Sequence, residues 1–350
     1  MIPFFDIKFT KEMEEVALQA LYNENFIMGE SVFKFEEEFA RYIGTKYAVS
    51  VSSGNSALHL SLLALGIKNG SKVLTSTNSF IASANCILMV GARPELCDIN
   101  LEDGNIDLSK CEYGVDAVIP VHIYGNPCDY ESVIEYSQRY NIPIIEDACQ
   151  AHGAIYDDKK AGSLGDVGCF SFYSTKNMTV AGDGGMVTTN NEDVANTIRS
   201  LRDNGRKSKV EHDKLGFTMR LNTVSAAIGR VQLKHLDEFN KRRKEILRIY
   251  QQKLGKELFL GENPKGKAVY HQIVIKHKNR DKIMKHLSDN KIGTAIHYPI
   301  PIHKQPLYSK YGFVLPNAEK FVKEILSLPS YPLLKDEEVA LISEKIMEAI

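Results

Sequence analysis

Between about residues 45 and 190, the hydrophobic and polar positions form two alternating patterns, one typical of strands and one typical of helices. Short apolar segments rich in β-branched residues predict strands at 47–51, 72–75, 93–97, 117–121, 143–147, 169–172 and 185–189. Leucines at helical spacing in 56–63 predict a helix between the first two strands, and 80–90 predicts another. Such alternation favours a mostly parallel sheet covered by helices on both faces. We therefore predict an α/β domain whose functional side chains gather at the carboxyl ends of its strands.

The pattern changes in the last third of the chain. Residues 222–253 predict one long helix, and we interpret its basic cluster at 241–244 as a solvated face. The remainder predicts a smaller α+β unit with strands at 269–275 and 293–298 and helices at 278–290, 316–326 and 335–349. These patterns predict a large domain, 1–240, and a small C-terminal domain, 241–350.

The amino-acid composition limits the classes of function that the protein can have. The 350 residues are 43% hydrophobic and 25% charged, with a net charge of −1, as is typical of a soluble globular protein. Neither a nucleic-acid partner nor a charged membrane surface is indicated. The first residues, MIPFFDIKFTKEMEEV, carry charges too early for a secretory signal, and no apolar run approaches the roughly 18 residues of a membrane span.

The six cysteines are scattered and form no C-x-x-C pair. Several lie in apolar strand-like runs, where a free thiol acts as a small core residue. This pattern argues against a disulfide framework or a metal site, and it leads us to expect a cytoplasmic protein.

Two charged side chains at the ends of apolar strands carry the candidate chemistry. Lys176 follows the mostly apolar run 168–173, and Asp147 ends the strand 143–147. This combination suits pyridoxal 5′-phosphate (PLP): the lysine holds the cofactor as a Schiff base, and the acid pairs with the pyridine nitrogen. An ordinary reading also exists for each, as a surface lysine and as a helix N-cap. Their shared position at strand ends favours the PLP interpretation.

A phosphate site is expected where a strand leads into a helix, because the helix N-terminus offers free N–H groups. Residues 52–57, SSGNSA, are well placed for this, with Gly54 permitting close backbone approach. A plain Ser/Asn-capped turn is the alternative. Phe80 can stack on a pyridine ring or belong to the core, and Ser171 can add a phosphate contact.

At the level of whole motifs, the chain resembles the DegT-type sugar-nucleotide aminotransferases of the fold type I PLP superfamily. The resemblance covers nearly the whole chain and rests on motifs that occur in order: IPF at 2–4, SGNSALH at 53–59, EDACQAHGA at 146–154, GD at 165–166, FSFYSTKN at 170–177, GDGG at 182–185, HYPIPIH at 297–303 and LSLP at 326–329.

The resemblance implies site roles and an assembly. It gives Lys176 and Asp147 the catalytic roles stated above, stacks Phe80 on the ring and places Gln150 near the ring hydroxyl. The residues it assigns to the cofactor phosphate are Gly54, Asn55, Ser56 and Ser171. It also implies a homodimer with shared active sites, in which residue 218 reaches the partner's cofactor phosphate. The family usually has asparagine at that position and threonine at position 55, whereas this chain has Thr218 and Asn55.

The implied reaction is ping-pong transfer of an amino group from L-glutamate to a nucleoside-diphosphate keto-sugar. A branch of the family that dehydrates sugars has histidine in place of lysine, so Lys176 favours transamination. The 297–301 motif favours a 3-keto-6-deoxy sugar, and Tyr298 and His303 are candidate substrate residues, although a tight Pro-bounded loop explains them equally.

Three other functions remain to be distinguished from this one. The first two are a PLP-dependent sugar dehydratase and a PLP-binding regulatory protein without turnover. The third is a nucleotide-binding oxidoreductase, which the absence of an early G-x-G-x-x-G disfavours.

Overall fold

The structure is a computed structural model that describes residues 1–111 and 114–350. Its strands are β1 (Tyr47–Val51), β2 (Lys72–Ser76), β3 (Arg93–Cys97), β4 (Ala117–Ile119), β5 (Ile145–Asp147), β6 (Ile155–Tyr156), β7 (Lys159–Lys160), β8 (Val167–Ser171), β9 (Gly185–Thr189), β10 (Gly266–Lys267), β11 (Ile273–Lys276) and β12 (Ile325–Leu328). Its α-helices are α1 (Lys11–Asn23), α2 (Glu30–Ile43), α3 (Gly54–Ala64), α4 (Ala82–Met89), α5 (Tyr130–Tyr140), α6 (Glu192–Leu201), α7 (Thr223–Leu254), α8 (Arg280–Asp289), α9 (Pro306–Ser309), α10 (Pro316–Glu324) and α11 (Asp336–Ala349). Short 3₁₀ turns lie at Leu108–Lys110, Ile123–Gly125, Lys256–Leu258 and Ile302–Lys304.

The main sheet has the strand order β3-β2-β4-β5-β8-β9-β1. Its two halves meet where Val118 pairs with Ile144 and Val121 pairs with Asp147, both in parallel. All neighbouring strands are parallel except β9, which runs antiparallel to both β8 and β1. The predicted mostly parallel α/β sheet is therefore confirmed. The carboxyl ends of β1, β2, β5 and β8 share one edge.

Helices cover both faces of this sheet, as the alternation of side chains along β8 illustrates. Cys169 packs into the cluster on the α3 side, where Leu58 and Leu60 are buried. Phe170 points to the other face and meets Phe39 of α2 with ring centroids 5.0 Å apart. Burial on both faces explains why the strands are almost continuously apolar.

The C-terminal residues build a separate core beside α7. Strands β11 and β12 pair antiparallel, and their inward residues join a cluster that includes Leu287 of α8 and Ile342 of α11. Ile2 belongs to the same cluster, so the first residues of the chain pack here too. The predicted domain division at residue 240 falls inside α7 and stays a prediction.

Two predicted strands of this region need correction. The strand expected at 269–275 begins later, at Ile273. The strand expected at 293–298 is wrong: Ala295 makes one isolated bridge to Ser327, and the chain then leaves the sheet. Pro299 and Pro301 follow, and proline has no N–H with which to continue a ladder.

The expectation that the cysteines are unpaired is also wrong for one pair. Cys97 and Cys111 form a disulfide, with Cα atoms 6.6 Å apart. The chain after β3 folds back on itself, as the antiparallel bridge between Ile99 and Ile106 shows, and this brings Cys111 beside the end of β3. Cysteine usage therefore no longer favours a reducing compartment.

The longest helix, α7, carries charged residues along much of its length. Within the two described ranges, no helix combines the length and the apolar character needed to cross a membrane.

Candidate active site

A cavity of about 480 Å³ opens at the shared edge of the main sheet. Its walls come from the segments that follow β1, β2, β5 and β8, together with parts of 271–272 and 297–298. The sequence-predicted residues that line it are Gly54, Asn55, Phe80, Asp147, Gln150, Ser171, Lys176 and Tyr298. The structure thus brings most of the predicted site together.

Asp147 lies at the carboxyl end of β5 and is only 5% exposed. Its Oδ2 accepts a hydrogen bond from the Ser83 hydroxyl at 2.6 Å, and its Oδ1 accepts one from the Cys149 amide at 3.2 Å. These two hydrogen bonds fix the orientation of the carboxylate. In the described part of the chain the carboxylate has no ion-pair partner, so an anion is available to a cationic group in the cavity.

Lys176 lies five residues beyond the end of β8 and faces the same cavity. Burial lowers the pKa of its amine from the ordinary value, and this effect exceeds the opposing influence of Cys149 and Asp147. No side chain in residues 1–111 or 114–350 forms a hydrogen bond or an ion pair with this amine. A lysine that is unpaired and easily deprotonated has the properties of a nucleophile or a proton carrier.

The N-terminus of α3 provides the predicted anion cradle. Ser53 caps the helix by accepting from the Ser56 amide, and Gly54 and Asn55, at the start of the helix, line the cavity. Gly54 is required here, since an added Cβ would come within 2.8 Å of both Cys149 Sγ and Ser171 Cβ. The Asn55 Oδ1 atom is buried without a hydrogen-bond partner.

Aromatic and amide side chains form the opposite wall. The Phe80 ring is 54% exposed and lies 5.9 Å from the Tyr298 ring, centroid to centroid. Gln150 is fixed at both ends, because its Oε1 accepts from the Tyr124 amide at 2.8 Å and its Nε2 donates to the Tyr298 hydroxyl at 3.3 Å. Together with the cradle, Lys176 and Asp147, this wall fits PLP, which needs an amine, an acid, an anion site and a stacking surface.

Three predicted site residues do not line the cavity. Ser56 lies beneath the cradle and bonds Ser52 and Ser53. Thr218 is exposed and donates to Asn204, 3.1 Å away. The prediction that His303 faces the substrate is not supported by its placement, because its ring is buried between Thr77, at 2.7 Å, and Glu319, at 3.3 Å.

Other cavity residues were missed by sequence reasoning. Ser83 lies within the predicted helix 80–90 and gave no signal of a site role. His297 begins the 297–303 motif but was not assigned to the site, and His271 gave no signal, because it reaches the cavity only through the tertiary fold. Burial, followed by the proximity of Lys176, lowers the pKa of His297 to about 4 and that of His271 well below its ordinary value. Both imidazoles are therefore neutral near pH 7.

Known proteins resemble this chain over nearly its whole length. Residues 8–347 match the model of the DegT/DnrJ/EryC1/StrS aminotransferase family. A protein from Aneurinibacillus thermoaerophilus, named dTDP-3-amino-3,6-dideoxy-alpha-D-galactopyranose transaminase, is 38% identical over 100% of this chain and 99% of its own length. A Geobacillus stearothermophilus protein named "Pleiotropic regulatory protein" is 36% identical over 96% of this chain and 94% of its own.

A solved structure has the same fold. The crystal structure of DesV from S. venezuelae, in complex with a ketimine intermediate, superposes with a TM-score of 0.93 at 34% identity. The match covers 96% of this chain and 94% of DesV.

Proposed function

The chain belongs to the DegT/DnrJ/EryC1/StrS aminotransferase family, and from this premise we propose that it moves an amino group from L-glutamate to a nucleotide-linked keto-sugar. It is a PLP-dependent enzyme of fold type I, as the family and the structural match establish. The observation that carries the proposal is the meeting of Lys176 and Asp147 in one cavity at the ends of β8 and β5.

PLP, when bound, supplies the electron sink that allows a proton to leave the carbon bearing the amine. We assign to Lys176 the attachment of the cofactor and, once released from it, the movement of that proton. Its lowered pKa keeps the amine unprotonated closer to neutral pH, as a general base requires. Asp147 would hold the ring nitrogen in its protonated form.

The remaining residues bind and orient. Gly54, Asn55, Ser56 and Ser171 are assigned to the cofactor phosphate, with Ser56 acting from beneath the cradle. Phe80 is assigned to the ring face and Gln150 to the ring hydroxyl. Tyr298, bonded to Gln150, is the substrate residue that the geometry supports best. His303 does not share this support.

A homodimer with shared active sites is part of the proposal. Thr218 lies outside the cavity of its own chain and is exposed, which is compatible with a contact to a partner's cofactor.

A 3-keto-6-deoxy sugar is the proposed acceptor class. The name of the A. thermoaerophilus relative, which specifies amination at carbon 3 of a dideoxy sugar, supports this choice. The experiment is to incubate the PLP-loaded enzyme with L-glutamate and dTDP-linked 3-keto or 4-keto 6-deoxy sugars, and to identify products by mass spectrometry. An amino-sugar from the 3-keto compound is expected. Amination of only the 4-keto compound would overturn the position, and ammonia release with a deoxysugar would indicate a dehydratase.

A regulatory protein without turnover is the second candidate, because the G. stearothermophilus relative carries that name. An aminotransferase and a regulatory protein without turnover are distinguished by the first half-reaction. Glutamate added without acceptor should convert the visible band of the bound cofactor to that of its aminated form. A band that no amino donor changes would favour the regulatory role.

A further inference from the structure

We propose that Ser83 is a positioning residue whose hydroxyl, supported by Ser79, fixes the carboxylate of Asp147 toward the cofactor. The inference rests on the proposed function of the cavity and adds a component to it. Ser79 and Ser83 both line the cavity and are nearly fully buried, at 4% and 1% exposed.

The hydrogen-bond directions in this cluster are determined by its chemistry. An ionised carboxylate only accepts, so the Ser83 hydroxyl donates its single proton to Asp147 Oδ2, 2.6 Å away. The contact of 2.6 Å between the two serine hydroxyls must then have Ser79 as donor. The result is a directed chain from Ser79 through Ser83 to Asp147, in which each bond polarises the next.

This use of Ser83 departs from what a helical serine ordinarily does. Ser83 lies in the first turn of α4, where a serine hydroxyl commonly bonds a backbone carbonyl three or four residues earlier. Here it bonds a carboxylate 64 residues away in sequence, across the cavity floor. The same geometry places Asp147 at the N-terminal end of α4, where the helix dipole favours a negative charge.

The donors to Asp147 are all neutral. They are the Ser83 hydroxyl and the Cys149 amide, and no cation of the described residues pairs with the carboxylate. A neutral donor stabilises and orients the charge without cancelling it. The carboxylate therefore keeps its attraction for a protonated ring nitrogen.

The test is Ser83→Ala, with PLP affinity, the pH midpoint of the cofactor's visible band and steady-state kinetics as readouts. Without the hydroxyl, the Asp147 carboxylate is held less firmly against the ring nitrogen, so the ring carries less positive charge and the midpoint should rise by about half a pH unit or more. PLP affinity should weaken, and kcat should fall about tenfold to a hundredfold with little change in KM for glutamate. Ser79→Ala should shift the same readouts in the same direction, by less. Ser83→Thr, which keeps the hydroxyl, should restore the midpoint.

Ser50→Ala is the matched control. Ser50 is also a fully buried serine that donates to a buried carboxylate, Glu36 at 2.8 Å, but it lies outside the cavity. The Ser50→Ala substitution should lower stability without moving the pH midpoint of the cofactor's visible band. A folded Ser83→Ala enzyme with the wild-type midpoint would overturn the inference, even if its PLP affinity were reduced. Failure of the wild-type protein to bind PLP would instead refute the proposed function.

Discussion

Two adjacent carboxylates on β5, Glu146 and Asp147, point to opposite sides of the strand and have different surroundings. Glu146 is fully buried and accepts from the amides of Gly162, Leu164 and Gly165, each at 2.7 Å. It also accepts from His122, at 3.1 Å. Asp147 has two donors and faces a cavity.

The comparison distinguishes a structural carboxylate from a chemical one. Glu146 has every acceptor site used by the protein, so it fixes the 162–165 loop and has nothing left to offer a ligand. Asp147 keeps acceptor capacity and faces the cavity. We infer that the degree of saturation, more than burial, identifies the functional acid in this motif.

The largest effect is expected from Asp147→Ala. The expected partner of this carboxylate is the protonated ring nitrogen of PLP. Loss of one partner of such a buried ion pair costs about 3–5 kcal/mol, which corresponds to a fall in kcat of roughly a hundredfold to several thousandfold. Transaminase assays with purified protein measure this. The unfolding free energy of the apoprotein should change much less. A variant with near wild-type turnover would remove Asp147 from the mechanism.

Glu146→Ala should show the reverse profile. It leaves three buried amides without an acceptor, at about 1–3 kcal/mol each, so the unfolding free energy should drop by about 3 kcal/mol or more. Urea denaturation measures the change. Glu38→Ala is the control, because Glu38 pairs with Arg230 near the surface and should contribute under about 1 kcal/mol. Equal losses in the two variants would contradict the comparison.

Much of this region was predictable from the sequence. The strands β1, β3 and β9 were predicted with their observed bounds, because apolar runs bounded by turn residues are a local signal. Asp147 and Lys176 were predicted as strand-end residues, and the sheet order then explains why they meet. Ser83 was not predicted as a site residue, because its hydrogen-bond partner, Asp147, is distant in sequence. The pairing of Cys97 with Cys111 likewise depends on a chain reversal that no local pattern encodes.

Gly54→Ala should have an intermediate effect on PLP affinity, since Gly54 lines the same cavity as Asp147. The added Cβ must displace Cys149 or Ser171, which deforms the cradle, whereas helix propensity alone would favour alanine by about 1 kcal/mol. PLP affinity, measured by titration of the apoprotein, should weaken about tenfold or more, with the secondary structure unchanged. Gly261→Ala, whose nearest contact would be an ordinary 3.6 Å, serves as the control and should bind PLP normally.

The last prediction concerns the pH dependence of stability and a histidine that lies outside the cavity. Burial, and then Lys176, lowers the pKa of His152 from 6.5 to about 3 in the folded protein. The unfolded chain therefore binds more protons, and stability should fall as the pH drops below 6.5, by about 2 kcal/mol at pH 5. His152→Leu should reduce this decline in thermal unfolding without abolishing it, because the pKa values of His271 and His297 are lowered too, and His212→Leu, at an exposed site, should leave it unchanged. An unchanged decline in the first variant would exclude His152 as its source.

The measurement that tests the central claim most directly is chemical trapping of the cofactor on its lysine. The holoenzyme, loaded with PLP, is reduced with borohydride and digested, and the modified peptide is located by mass spectrometry. We expect a pyridoxyl group on Lys176 and none on Lys160, another lysine whose pKa burial lowers but which lies outside the cavity. Modification of a different lysine in stoichiometric yield would contradict the assignment of the cavity as the active site.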